Sequence, residues 1–323
     1  MQHGVLNFLK PPGMTSHDAV AFVRRVLREK RVGHTGTLDP AAAGVLPICV
    51  GQATRLVEDL QAGTKRYIAE ATFGRETDSG DLLGQTVREC DASGLQLEEL
   101  RAVLDGFRGE IEQTPPMHSA IKVGGQKLYD LARQGKEVEI PTRVVKISHL
   151  HISRWQGQGG EDVRAMLDIE CSGGTYIRSL VRDIGRAAGS AATMSFLLRN
   201  QSGLFNLADA VSPEEFEREP KLIPLREVLD WLVMASVRND EAVLKLWQGR
   251  QLENLAITPE PLVKRKEREL ESASRENRPV SIARMRADNG PALIENEAGT
   301  LLALASRGED GWWKADKVFD LRV

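Results

Sequence analysis

Asp39 stands in the run from Gly33 to Leu56, GHTGTLDPAAAGVLPICVGQATRL, which places a histidine, an aspartate and closely spaced glycines on what reads as a loop. A residue followed by proline is pushed out of the helical region, so no helix runs through Asp39 and Pro40. A carboxylate on such a loop has two ordinary uses. It shapes the turn by accepting nearby backbone N–H bonds, or it acts as a nucleophile toward a bound fragment. His34, five residues earlier, adds a group able to contact a ligand or move a proton.

Two further side chains could work with such a carboxylate. Tyr67 opens the stretch KRYIAEATFG, where Tyr67, Ala69, Ala71 and Phe73 alternate as in a half-buried strand. A tyrosine there is either a core residue bonding through its hydroxyl or a ring presented to a ligand. Arg178 falls in the first turn of a helix read from Tyr176 to Ala188, off the apolar stripe of Ile177, Leu180, Val181 and Ile184. A cation gains nothing from the dipole at a helix N-terminus. It therefore lies in solvent or has an anionic partner.

The elements that must hold these residues follow from periodicity. Val5 to Leu9 reads as a strand, Lys10 to Gly13 as a turn, and Ser16 as the N-cap of a helix from His17 to Glu29. Gly44 to Gly51 reads as a buried strand and Thr54 to Leu60 as helix. Gln96 to Phe107 is an amphipathic helix, and a proline-delayed strand from Thr114 leads into a short helix from Gln126 to Gln134. Strands are expected at 144–155, 163–171 and 194–205, and the acidic residues of 75–81 as turn and cap formers. Beyond Leu232 a strand and helix over 235–248 precede a charged run at 259–278. Short strands at 280–285, 292–295, 301–305 and 314–319 close the chain, separated by Asn289-Gly290, Ala298-Gly299 and Asp310-Gly311 turns.

Composition narrows the class. The 323 residues carry a net charge of −3, so any nucleic-acid site must be a local patch. The cluster Arg24, Arg25, Arg28, Lys30 and Arg31 could supply one. Lys264, Arg265, Lys266 and Arg268 alternate with glutamates and read as a solvated face. Three widely separated cysteines, Cys49, Cys90 and Cys171, fit reduced thiols and offer no metal-ligand spacing. No apolar run approaches the roughly 18 residues of a membrane span. The expectation is a soluble cytoplasmic monomer without metal or cofactor.

Four motifs, in order, resemble the tRNA pseudouridine synthase B (TruB) family over roughly residues 4 to 232. They are KPPGMTS at 10–16, GHTGTLDP at 33–40, the P-x-x-S-A-x-K stretch with Ser119, Lys122, Tyr129, Ala132 and Arg133, and GTYIRSLVRDIG at 174–185. The resemblance implies Asp39 as the catalytic nucleophile, Arg178 as its ion-pair partner, and Tyr67 as a ring over the target base with a part in proton handling. It implies RNA or substrate contacts from His34, Lys122, Arg133 and Leu198, with Leu197 possible in place of Leu198. His34 as general base is the second choice. The implied fold is α+β, a mixed, largely antiparallel sheet forming a catalytic domain over 1–232, with an RNA-closing insertion near 112–136. A small C-terminal β-barrel of PUA type is expected over 233–323. The implied reaction is isomerisation of uridine-55 in the tRNA T-loop to pseudouridine on a flipped-out base. The competing readings are a guide-RNA-dependent relative and a non-catalytic tRNA-folding or RNA-binding factor.

Overall fold

The computed structural model describes residues 2–117, 119, 122–123, 126–127, 140–157, 163–229, 232–237, 240–248, 250–253, 257–259, 292–296 and 298–319. Its contacts group into two compact units. One comprises 1–40, 44–63 and 202–323, the other 41–43 and 64–201.

In the first unit, strand β1 (Gly4–Lys10) pairs antiparallel with β3 (Ala43–Val50), setting Lys10 opposite Gly44. β2 (Val32–His34) pairs with the far end of β3. Helix α1 (Ser16–Leu27) packs beside β2, and a 3-10 turn (Gly51–Leu56) runs into α2 (Val57–Gln61). The N-cap of α1 is Thr15 and not Ser16. Thr15 Oγ1 accepts from Asp18 N at 3.0 Å, while the Asp18 carboxylate accepts from Thr15 N at 2.9 Å, a closed capping box. Ser16 is unavailable because its hydroxyl is committed to Leu38.

The later part of this unit holds β13 (Phe205–Asn206), α5 (Pro213–Arg218), α6 (Leu225–Val228) and α7 (Asp240–Trp247). It also holds a five-stranded mixed sheet in the order β15 (Ile257–Pro259), β14 (Val233–Val237), β16 (Ala292–Asn296), β17 (Leu301–Arg307), β18 (Trp313–Val318). β14 and β16 run parallel. Among the described residues this sheet is open, since β15 and β18 end it without pairing to each other. Val5, Val45, Cys49, Leu293, Leu304 and Phe319 belong to one buried cluster, so the C-terminal strands share a core with β1 and β3. Lys317 reinforces this, its Nζ lying 2.8 Å from Asp59 and 2.7 Å from Arg55 O. The expected strand at 280–285 and the charged run from 260 onward fall outside the described residues.

In the second unit, β12 (Ala192–Ser202), β4 (Lys65–Phe73), β11 (Arg164–Cys171), β10 (Arg143–Gln156) and β7 (Gly109–Gln113) lie side by side. The β4, β11, β10 and β7 pairings are antiparallel. Alternation carries through: alternate residues of β4 and β11 are buried, and α4 (Ile177–Ala187) packs against β4 with Ile177, Leu180, Val181 and Ile184 inward. α3 (Leu97–Asp105) buries Leu100 and Leu104. A side hairpin joins β5 (Arg75–Thr77) to β6 (Thr86–Glu89). Beyond Gln113 residues 114–117 carry no strand. Pro115 and Pro116 remove the donors that a ladder would need, and among the described residues the delayed strand is β8 (Lys122–Val123), paired with β9 (Gln126–Lys127). Gln126 therefore starts a strand and not a helix; 128–134 lie outside the described residues.

Three buried titratable side chains tie stability to alkaline pH. Burial, aided by the nearby Arg199 charge, pulls the Lys65 ammonium from 10.5 down to about 8. Burial pushes the Cys49 and Cys171 thiols from 9.0 up to about 12. Between about pH 8 and 9 the unfolded chain holds the Lys65 proton that the native state has shed, so stability rises with pH. Above about pH 9 the unfolded thiols ionise while the buried ones do not, and two cysteines outweigh one lysine, so it falls. Denaturant titrations at stepped pH are expected to peak near pH 9, with a net rise of only about 0.3 kcal/mol from pH 8, because the thiols offset most of the lysine contribution, and Lys65→Met is expected to turn that rise into a fall.

Candidate active site

The Asp39 loop leaves β2 at His34 and rejoins the sheet at β3. Its backbone is held from both sides by the segment that follows β1. Ser16 Oγ donates to Leu38 O at 3.0 Å and accepts from Leu38 N at 2.9 Å, satisfying both backbone groups of the residue before Asp39. Gly13 N donates to Pro40 O at 2.8 Å, fixing the residue after it. Lys10 completes the clamp. It is fully buried at 0% exposure, and its Nζ donates to Pro11 O at 2.9 Å, Met14 O at 2.7 Å and Pro40 O at 3.3 Å. A lysine ammonium has three donors and no acceptor, and all three meet carbonyls here, which offsets the cost of burying the charge.

Within the loop, Thr35 N donates to Pro47 O at 3.0 Å and Gly36 N to His34 Nδ1 at 3.3 Å. The latter bond marks Nδ1 as the acceptor nitrogen of His34. Gly36 has a φ of 125°, which a side chain would strain. His34 meets the His17 ring edge to face, centroids 5.8 Å apart. Asp39 and His34 are both half-buried.

Arg178 and Tyr67 are in the second unit. Tyr67 lies on the inward face of β4, opposite Ile169 and 7% exposed. Arg178 is 6% exposed, so it is no surface arginine. Its Nη1 donates to Ser79 O at 2.8 Å and lies 3.8 Å from the Asp81 carboxylate. Asp81 is itself tied down: Oδ1 accepts from Ser79 Oγ at 2.7 Å and from Leu83 N at 3.0 Å. Asp78 and Asp81 thus form turns as the sequence suggests, and Asp81 also faces a cation. Glu76 departs from that expectation. It is buried and takes Arg186 bidentately, at 3.0 Å and 2.5 Å, and this contact holds the Arg186 guanidinium above its usual range.

Gly80 lets the 79–81 turn touch α4. Its φ is +75°, and a Cβ there would sit 3.2 Å from Arg178 Cβ. Leu198 lies half-buried on β12, while its neighbours Leu197 and Arg199 are buried. The backbone of Lys122 belongs to β8, but its side chain and all of Arg133 fall outside the described residues.

The basic stretch before the loop lines a cavity of about 640 Å³ together with Arg55. Arg24, Lys30 and Arg31 face it, although Arg24 also donates to Val32 O at 3.0 Å and Arg25 pairs with Glu217. Among the described residues no group of three or more His, Cys, Asp or Glu could hold a metal, and no helix is long and apolar enough to cross a membrane.

Lys10, Ser16 and Asp81 carry more of this arrangement than their types announce. The motif KPPGMTS pointed to the first two as support. Only the fold reveals that Ser16 reads the Leu38 backbone. Ser16→Ala leaves Leu38 N–H and C=O buried without partners and is expected to cost about 1–3 kcal/mol. Gly80→Ala is expected to cost about 1–3 kcal/mol from its positive φ and the contact with Arg178. Chemical denaturation of both variants measures these losses.

Residues 24–177 match the N-terminal domain of the TruB family pseudouridylate synthases, a region that contains Asp39 and Tyr67 and ends one residue before Arg178. A tRNA pseudouridine synthase B of Symbiobacterium thermophilum is 52% identical over 222 residues, 68% of this chain and 74% of the relative. One from Heliobacterium mobile is 48% identical over 249 residues, 76% and 80% of the two chains. Among solved structures, an H/ACA RNP bound to a substrate RNA containing 2'-deoxyuridine superposes with a TM-score of 0.63 at 23% identity, covering 99% of this chain and 86% of the other. A Cbf5-Nop10-Gar1 complex gives 0.63 at 25%, covering 98% and 84%. With half of its residues identical to such relatives over more than two thirds of either length, the chain belongs to the TruB family of pseudouridylate synthases.

Proposed function

We propose that this enzyme is a tRNA pseudouridine synthase, an isomerase that converts the T-loop uridine at tRNA position 55 to pseudouridine with Asp39 as nucleophile. The observation that carries the reading is the clamp on the Asp39 loop. Lys10, Gly13 and Ser16 fix the backbone on both sides of a half-buried carboxylate, and that carboxylate stands at the aspartate position of the motif. The named activity of the 52% identical relative supports the substrate class.

Pseudouridine formation breaks the bond from uracil N1 to ribose C1′ and makes one from C5 to C1′. C5 loses a proton and N1 gains one, so no oxidant or cofactor enters the balance. A carboxylate can capture the separated fragment covalently, as in glycosidases. To do so it must stay ionised when RNA encloses it, and a cation within about 4–6 Å favours the charged form. Arg178 is assigned that role, with Asp81 and Ser79 orienting its guanidinium. Tyr67 stacks on the extruded base and takes part in proton handling, since stacking on the order of 1–3 kcal/mol offsets the cost of flipping. His34 fills the space the base vacates, and Leu198 packs against the pocket.

RNA is gripped by local charge. The cavity bordered by Arg24, Lys30, Arg31 and Arg55 suits a phosphate backbone. Lys122 and Arg133 contact RNA from the insertion at 112–136. Residues 1–232 form the catalytic domain, and 233–323 a PUA-like RNA-binding domain with the charged excursion. The enzyme acts as a cytoplasmic monomer, without metal or cofactor.

Pseudouridine is to be measured in an unmodified tRNA transcript, with tRNA binding in parallel. Wild type is expected to modify the T-loop uridine, and Asp39→Asn to lose all detectable product while binding within about threefold of wild type, because recognition resides in phosphate and shape contacts. Binding without product from either protein selects the RNA-folding reading. Product only after a guide RNA is added selects the guided one.

A further inference from the structure

We infer that Gln113 is a positioning residue for the Arg178 guanidinium, an inference that rests on the role given to Arg178 above. Gln113 is the last residue of β7 and is 1% exposed. Its side-chain carbonyl accepts from Tyr176 N at 2.8 Å and its amide donates to Tyr176 O at 3.0 Å. One buried amide thereby reads both backbone groups of the residue that caps α4. Tyr176 has no side-chain cap of its own. A helix start normally recruits a local Ser, Thr, Asp or Asn; here a distant strand supplies the acceptor.

The next residue extends the contact. Thr114 O accepts from Ser179 Oγ at 2.8 Å and from Arg182 Nη2 at 3.3 Å. Bonds from the end of β7 therefore land at 176, 179 and 182. In the β7–β10 ladder Gln113 is opposite Arg143, whose guanidinium lies over the Tyr176 ring at 5.4 Å. Both members of that terminal pair thus engage Tyr176. Arg178, between the bonded positions, is met by the 79–81 turn through the Ser79 carbonyl and the close approach of Gly80.

The first turn of α4 is consequently held by two elements, and Arg178 cannot rotate or slide with its helix unless the Gln113 bonds break. A hydrophobic residue at 113 would fill the same volume without fixing rotation. Because a misplacement of about 1 Å at a reacting geometry costs on the order of a hundredfold in rate, Gln113 acts on catalysis through Arg178 and touches no substrate.

The test compares full-length wild type, Gln113→Met, Gln113→Glu and Arg178→Lys for single-turnover rate and tRNA affinity on an unmodified transcript. Gln113→Met is expected to lose about 10- to 100-fold in rate with affinity unchanged within about twofold. Gln113→Glu keeps the acceptor for Tyr176 N and loses the donor to Tyr176 O, so it recovers part of the rate. Its rate relative to wild type is expected to rise as pH is lowered, because the protonated carboxyl regains a donor. Should Gln113→Met fail to fold, that pH-dependent ratio decides alone. Impaired Arg178→Lys beside a Gln113→Met of wild-type rate overturns the inference and leaves the role of Arg178 standing. Equal losses in Met and Glu variants with a flat pH ratio mean a merely structural residue and also overturn it. A fully active Arg178→Lys overturns both.

Discussion

The burial of the Lys10 ammonium is the constraint on which the Asp39 loop depends. A point charge taken out of water must have its donors met, and the carbonyls of Pro11, Met14 and Pro40 meet them. Two of those carbonyls are local to the turn after β1, and the third comes from the residue following Asp39. The charge therefore makes the turn and the loop one object. Ser16 and Gly13 add neutral bonds to Leu38 and Pro40, so the backbone on either side of the carboxylate is held while its side chain stays half-buried. Rigid backbone with a partly accessible functional group is what preorganised chemistry requires.

The second unit solves a similar problem for a cation. Arg178 begins a helix, where the dipole opposes it, and it is almost wholly buried. Its position is maintained by a backbone carbonyl and a carboxylate from the 79–81 turn, which in turn is shaped by Ser79 Oγ, Thr77 Oγ1 and the left-handed Gly80. The bidentate pair of buried Glu76 with the exposed Arg186 ties the same hairpin to α4 two turns further along. Thus the acidic loop is less a decoration of the surface than the mount of the helix that carries Arg178.

The whole chain is at −3, so its net charge does not draw RNA from a distance. Attraction must come from local groups, and the cavity with Arg24, Lys30, Arg31 and Arg55 sets four cations against the single carboxylate of Glu58 around one concavity. Other arginines already have carboxylate partners, Arg25 with Glu217 and Arg66 with Glu170 among them. A count of basic residues therefore overstates what a polyanion meets.

Much of this was legible in the sequence, because its signals are local. Period-two alternation in KRYIAEATF and RAMLDIEC specifies strands with one buried face, and the apolar stripe of IRSLVRDIG specifies a helix that buries it; both formed where expected. Asp39 before Pro40 excluded helix from the loop on steric grounds alone. Local rules failed where a side chain had a distant use. Ser16 looked like a cap, but its hydroxyl serves Leu38 and the cap falls to Thr15. Glu76 looked like a turn former, but it is buried against Arg186. Gln113 carried no signal at all, since a glutamine at a strand end is ordinary until Tyr176 is known to stand beside it. The sequence by itself determined most of which segments become strand, helix or loop, because those choices depend largely on neighbours within a few residues; Gln126, which starts a strand where a helix was expected, is an exception. The tertiary structure alone decided which polar side chain meets which backbone group, because partners 22, 63 and 110 positions apart have no period to reveal them.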